Sequence, residues 1–71
     1  MDSQLSDMEK LAQLLEHWPR HNQDHVSNYL DWADRAETDG NLETAELLRQ
    51  AAETKERVTK LFTLARAALP A

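Results

Sequence analysis

A single glycine, Gly40, separates two long stretches in which apolar side chains recur at alternating steps of three and four residues. The first stripe runs Met8, Leu11, Leu15, Trp18, Asn22, His25, Tyr29, Trp32, Ala36; the second runs Thr44, Leu48, Ala51, Lys55, Val58, Phe62, Ala65, Leu69. Such spacing keeps side chains on one side of an α-helix and suits near-antiparallel packing at about 20°. Leu, Ala, Glu, Gln, Lys and Arg, all good helix formers, fill both stretches, and nothing alternates with period two for long. The expected fold is all-α and a single domain over residues 1–71: a helix over about 4–38, a turn at 39–41 and a helix over about 42–69.

The boundaries carry their own signals. Ser6 and Glu9 have capping-box spacing, which starts the first helix near Asp7, and Ser3 is an earlier candidate cap. Gly40 suits the left-handed position that ends a helix, Asn41 is placed to cap the next one, and Pro70 closes it. Pro19 interrupts the first stretch by removing the bond to Leu15 and disfavouring helical geometry at Trp18. The stripe nevertheless passes through Pro19 in phase, which favours one long helix kinked there. The alternative is a corner at Trp18-Pro19 and a monomeric three-helix bundle. A hairpin of two helices leaves one side of each stripe wet, so the hairpin reading implies pairing of two copies into a four-helix dimer.

Size and charge narrow the partners. A chain of 71 residues without cysteine has a thin core and no disulfide to reinforce it. The net charge is −5, from 8 basic and 13 acidic residues, so a nucleic-acid partner is not expected. Charge divides unevenly: Met1 to Glu46 carries three basic and eleven acidic residues, Leu47 to Ala71 five basic and two acidic. No basic segment leads into an apolar one and no apolar run approaches 18 residues, so a cytoplasmic protein without membrane contact is expected.

Every histidine lies in one run, His17, His21 and His25, four residues apart. With Trp18 as reference, His25 lies about 20°, His21 about 60° and His17 about 100° to one side, a spiral from the wet flank into the stripe. The run rises about 12 Å, too far for all three imidazoles to reach one ion on a straight helix when each ligand nitrogen must lie about 2 Å from it. His21 and His25 form the better pair, and zinc, nickel, cobalt or copper suits imidazole. Completing a site requires further ligands, with Glu53, Glu56 or the same histidines of a second subunit as the candidates. Folding the chain about Gly40-Asn41 sets opposite each other residues whose numbers sum to about 81. That places Asn22, His25, Lys55 and Thr59 in a polar layer, of the kind that fixes register in helical seams. Trp18, Tyr29, Trp32 and Phe62 are expected as core or interface aromatics.

The segment L-L-E-H-W-P-R-H-N-Q-D-H-V-S-N-Y-L-D-W-A-D-R-A, residues 14–36, resembles a small family of prokaryotic all-helical domains of unknown function. The shared pattern, H-W-x-x-H-N-x-x-H followed by an aromatic and W-A, falls here on His17, Trp18, His21, Asn22, His25, Tyr29, Trp32 and Ala33. The resemblance implies that the three histidines, Asn22 and Trp32 act as a set; it implies no activity. Pro19 occupies a variable position of the pattern where proline is atypical.

Two function classes follow. One is a metal-binding or metal-handling module built on His17, His21 and His25. The other is an interaction or oligomerisation module, joining a copy of itself or a partner helix, with the histidines structural or part of a pH-sensitive polar layer. An enzyme is not expected: Ser6 and Ser27 have no evident base, and there is no phosphate loop, H-E-x-x-H or E-x-x-H pair.

Overall fold

The computed structural model describes residues 5–70. Helix α1 spans Asp7–Thr38 and α2 spans Leu42–Ala68, with no strand among the described residues. The two pack as an antiparallel hairpin: Trp18 meets Phe62 with ring centroids 5.1 Å apart, Glu16 pairs with Arg66, and Asp34 and Glu37 pair with Arg49. These pairings fit the reflection about Gly40-Asn41 expected from the sequence.

Local chemistry sets the ends. Ser6 Oγ accepts from the Glu9 amide at 3.1 Å while Glu9 Oε1 accepts from the Ser6 amide at 2.8 Å, so two otherwise unpaired donors are satisfied reciprocally. The start expected near residue 4 and the alternative cap Ser3 lie outside the described residues. At the turn, Gly40 has φ of 87°, its amide donates to the Glu37 carbonyl at 2.9 Å, and the Asn41 amide donates to the Ala36 carbonyl at 2.8 Å. That pair of bonds is the Schellman arrangement, which glycine serves because it has no Cβ to strain in the left-handed region. Asn41 occupies the cap position of α2 but makes no side-chain cap bond; its amide nitrogen donates to Asp39 Oδ2 instead.

No corner forms at Trp18-Pro19. Helix α1 is continuous with Pro19 inside it, so the three-helix alternative is not the architecture of this chain. Proline removes one amide proton and crowds the Leu15 carbonyl, and the packing of Leu15, Trp18 and Asn22 on either side of it holds both segments against α2 in the same phase.

The contact line between the helices is rotated from the stripe read in the sequence. On α1 the buried residues are Leu15, Asn22, Val26 and Ala33; on α2 they are Ala45 and Ala52. Trp32, expected in the seam, is 57% exposed, and its neighbour Ala33 is fully buried. Likewise Ala45 and Ala52 replace Thr44 and Ala51 on the line. Small side chains, Ala33, Ala45 and Ala52, make the contact nearer the turn, while Leu15, Trp18 and Phe62 make it toward the open end. Introducing a large side chain on this line should therefore cost stability. Ala52→Leu is expected to lower the unfolding free energy by about 1–3 kcal/mol through overpacking. Urea titration measures the loss, and a variant as stable as the parent chain would place the contact line elsewhere on α2.

The hairpin is one layer thick. Its extents are 53 × 26 × 11 Å, the smallest equal to about one helix diameter of 10–12 Å. The radius of gyration is 16.5 Å, against about 11 Å for a compact domain of this length. No large side chain is fully buried among the described residues.

Candidate functional site

A one-layer hairpin has two broad faces, and these faces differ in chemistry. On one, Arg49 donates to Asp34 Oδ1 at 3.0 Å and to Glu37 Oε1 at 2.6 Å, and Arg66 donates to Glu16 Oε2 at 3.0 Å. The carboxylates of Glu37 and Asp34 hold the Arg49 guanidinium above its usual pKa. Glu46, Glu53 and Glu56 line a shallow hollow beside Arg49 and Leu30 on this side. These exposed pairs bridge α1 and α2 but are each worth little in water, so this face is built to stay wet.

The other face is apolar and aromatic. Trp18, Asn22, Lys55, Val58 and Phe62 line one hollow between the helices, and Trp32, Ala36, Thr44 and Leu48 line part of another nearer the turn. At about 100° per residue, Leu14, His21, His25 and Trp32 stand on the same side of α1 as Trp18 and point most directly out of this face. Arg35 lies over the Trp32 ring at 4.5 Å and pairs with Asp31, which leaves the ring itself on the surface.

The histidines form a ladder of rings along that face. Centroids of His17 and His21 are 5.9 Å apart, those of His21 and His25 4.6 Å, and those of His25 and Tyr29 6.0 Å. His17 and His21 are exposed and His25 is half-buried, as the spiral of the sequence implies. Only His21 and His25 aim their nitrogens at each other, Nε2 to Nε2 at 3.1 Å. A hydrogen bond between neutral imidazoles accounts for that distance, with one Nε2 carrying the proton and the other accepting it.

No third ligand stands beside that pair. Among the described residues no three His, Asp or Glu side chains gather where one ion could bind them. Glu53 and Glu56 sit on the charged face, in the hollow with Arg49, because equal height along the hairpin does not mean equal rotation around the helix. Of the polar layer, Asn22 is 6% exposed and shares its hollow with half-buried Lys55, while the Thr59 hydroxyl is buried without a hydrogen-bond partner. His25 is not part of the lining of that hollow. Leu14, Leu47 and Leu61 are exposed apolar side chains that the sequence stripes omit. A second pattern in the sequence contains the first of them: Leu14, Trp18, His21, His25, Asn28 and Trp32 also step by fours and threes.

Fold and site together define a two-helix hairpin that carries its histidines and exposed aromatics on one face. The family described as Domain of unknown function (DUF8180) matches residues 11–69, and the chain belongs to that family. Neither the curated proteins nor the solved structures contain a match to the chain. No described helix is long and apolar enough to cross a membrane.

Proposed function

We propose that the chain is a helical self-association module whose aromatic face packs on the same face of a second copy, giving a four-helix dimer. The observation that carries this reading is the contrast between the two faces of a hairpin one helix thick. The ion pairs that bridge α1 and α2 lie on one face, while Trp18, Phe62, Trp32 and Leu14 are grouped on the other. The stripes of the sequence support it. Their centre lies between the contact line with the partner helix and the aromatic face, as expected for helices that pack in two directions.

Register agrees with a second copy as the occupant. A face packs on its own copy about a two-fold axis lying in the interface. If that axis runs across the helices, α1 meets α1 of the copy antiparallel and full overlap sets the axis at the helix midpoint, between Asn22 and Gln23. About Gln23, Leu14 then faces Trp32 of the copy, Trp18 faces Asn28 and its neighbour Tyr29, and His21 faces His25. The same axis falls near Val58 on α2, where Ala51 faces Ala65. Leu14 with Trp32, Trp18 beside Tyr29 and Ala51 with Ala65 are apolar meetings in this register, while half-buried Lys55 faces Leu61 and can extend its ammonium to the rim.

In this reading the module joins copies of the chain rather than catalysing a reaction. Replacing Trp32, which packs little within the hairpin, separates association from folding. Trp32→Glu is expected to weaken self-association by about 100-fold, or about 2.7 kcal/mol, by burying a charge in the interface. Sedimentation equilibrium reads the association, and circular dichroism should show the helices retained. A wild-type monomer at high micromolar concentration would refute the module.

A further inference from the structure

We propose that His21 and His25 of two copies together bind one divalent transition-metal ion on the two-fold axis of the dimer. The inference rests on the face-to-face pairing above and adds a ligand to it. Three observations carry it. First, the two Nε2 atoms are 3.1 Å apart. Nitrogens bound to one zinc at about 2.0–2.1 Å, at angles between a right angle and the tetrahedral value, are about 2.9–3.4 Å apart. The metal-free pair therefore holds two nitrogens at the spacing of neighbouring ligands, and binding requires that both protons stand on Nδ1 and that both rings turn until their lone pairs converge on the ion.

Second, the pair is open where a half-site must be open. His21 is exposed and His25 half-buried, both pointing out of the aromatic face, and no third His, Asp or Glu joins them among the described residues. One hairpin supplies two nitrogens and cannot close a tetrahedral site; the same two nitrogens from a copy close it. Third, the register centres on the pair. The residues His21 and His25 flank Gln23, beside the midpoint of α1, so an antiparallel overlap one residue, or about 1.5 Å, from full overlap brings the two pairs to one level. Four imidazoles suit zinc, cobalt, nickel or copper rather than the oxygen-seeking calcium or magnesium. His17 stacks on His21 at the exposed end of the ladder and stays outside the site. Of the charged groups on the aromatic face, Lys55 lines the hollow between α1 and α2 and Arg35 lies over Trp32 in its pair with Asp31, both away from the outer side of α1 where the histidine pair stands.

The test is a titration of the full chain, freed of metal by chelation, with zinc ion and with cobalt ion as a spectroscopic probe of tetrahedral nitrogen coordination. Sedimentation equilibrium is run on the same samples. The expected result is one ion per two chains, the visible absorption of tetrahedral cobalt, and a dimer strengthened by the metal. The double variant His21→Ala/His25→Ala should lose that stoichiometry, that absorption and the strengthening of association by metal while keeping its helices, and His17→Ala should behave as wild type. A dimer whose association is indifferent to zinc overturns the metal site and leaves self-association intact. A tight ion for each single chain, or equal binding by the double variant, also overturns it. Monomer throughout overturns both readings.

Discussion

Replacing Leu15 by alanine is expected to lower the unfolding free energy by about 2–5 kcal/mol, a large part of what a chain of this length can hold. Leu15 is 5% exposed and packs toward the open end, with Pro19, Thr63 and Arg66 around it. Small residues on the contact line nearer the turn, Ala33, Ala45 and Ala52, bury little side chain each. Few residues therefore carry the open end, and the cavity left by alanine has few neighbours able to collapse into it. Chemical denaturation of Leu15→Ala measures the loss. Its neighbour Leu14 is 42% exposed on the aromatic face, so Leu14→Ala should shift association more than folding. A Leu15→Ala variant as stable as wild type would show that the hairpin contact line is not where the stability resides.

The second large effect runs the other way. Pro19→Ala should stabilise the fold by up to about 3 kcal/mol, since it restores a donor for the Leu15 carbonyl and removes the clash of the proline ring with that carbonyl. The helix is continuous through this position, so alanine has no new conformation to adopt. The gain is reduced by whatever packing the half-buried ring supplies beside Leu15 and Thr63. Thermal unfolding reads it as a higher Tm. A lower Tm would mean that the ring, or a bend it imposes, is needed for contact between α1 and α2.

Much of this architecture is legible in the residues. Two phase-continuous stripes around one glycine are enough for an antiparallel hairpin, and the Ser6-Glu9 box marks the start of α1 where the structure places it. Phase continuity through Pro19 carries more weight than the missing amide because helical packing on both sides outweighs one lost bond. The rotation of the contact line was not legible in the same way. A single stripe averages two apolar directions of α1 about a third of a turn apart, one toward α2 and one along the exposed aromatic face. Trp32 belongs to the second and Ala33 to the first, and a stripe averaged over both assigned the larger apolar residue to the seam. The same limitation brought Glu53 and Glu56 to the histidines: counting back from the turn gives height along the hairpin, and rotation has to come from contacts such as Arg49 with Asp34. Conversely, the pairing of His21 with His25 needed only the four-residue spacing and appears in the structure at hydrogen-bond distance.

The central claim is that the aromatic face packs on its own copy, antiparallel, about Gln23. Because the chain has no cysteine, single cysteines can be introduced and spin-labelled one at a time, and electron spin resonance then gives the distance between copies. Labels at Asp24, Asp31 and Thr38 fall progressively farther from the axis. Moving one residue along an antiparallel pair adds about 3 Å, so the separations should be shortest at Asp24, then about 25 Å, then about 45 Å. Three equal distances would mean that the helices run parallel, and no dipolar coupling at any of the three positions would mean that the hairpin has no second copy against it.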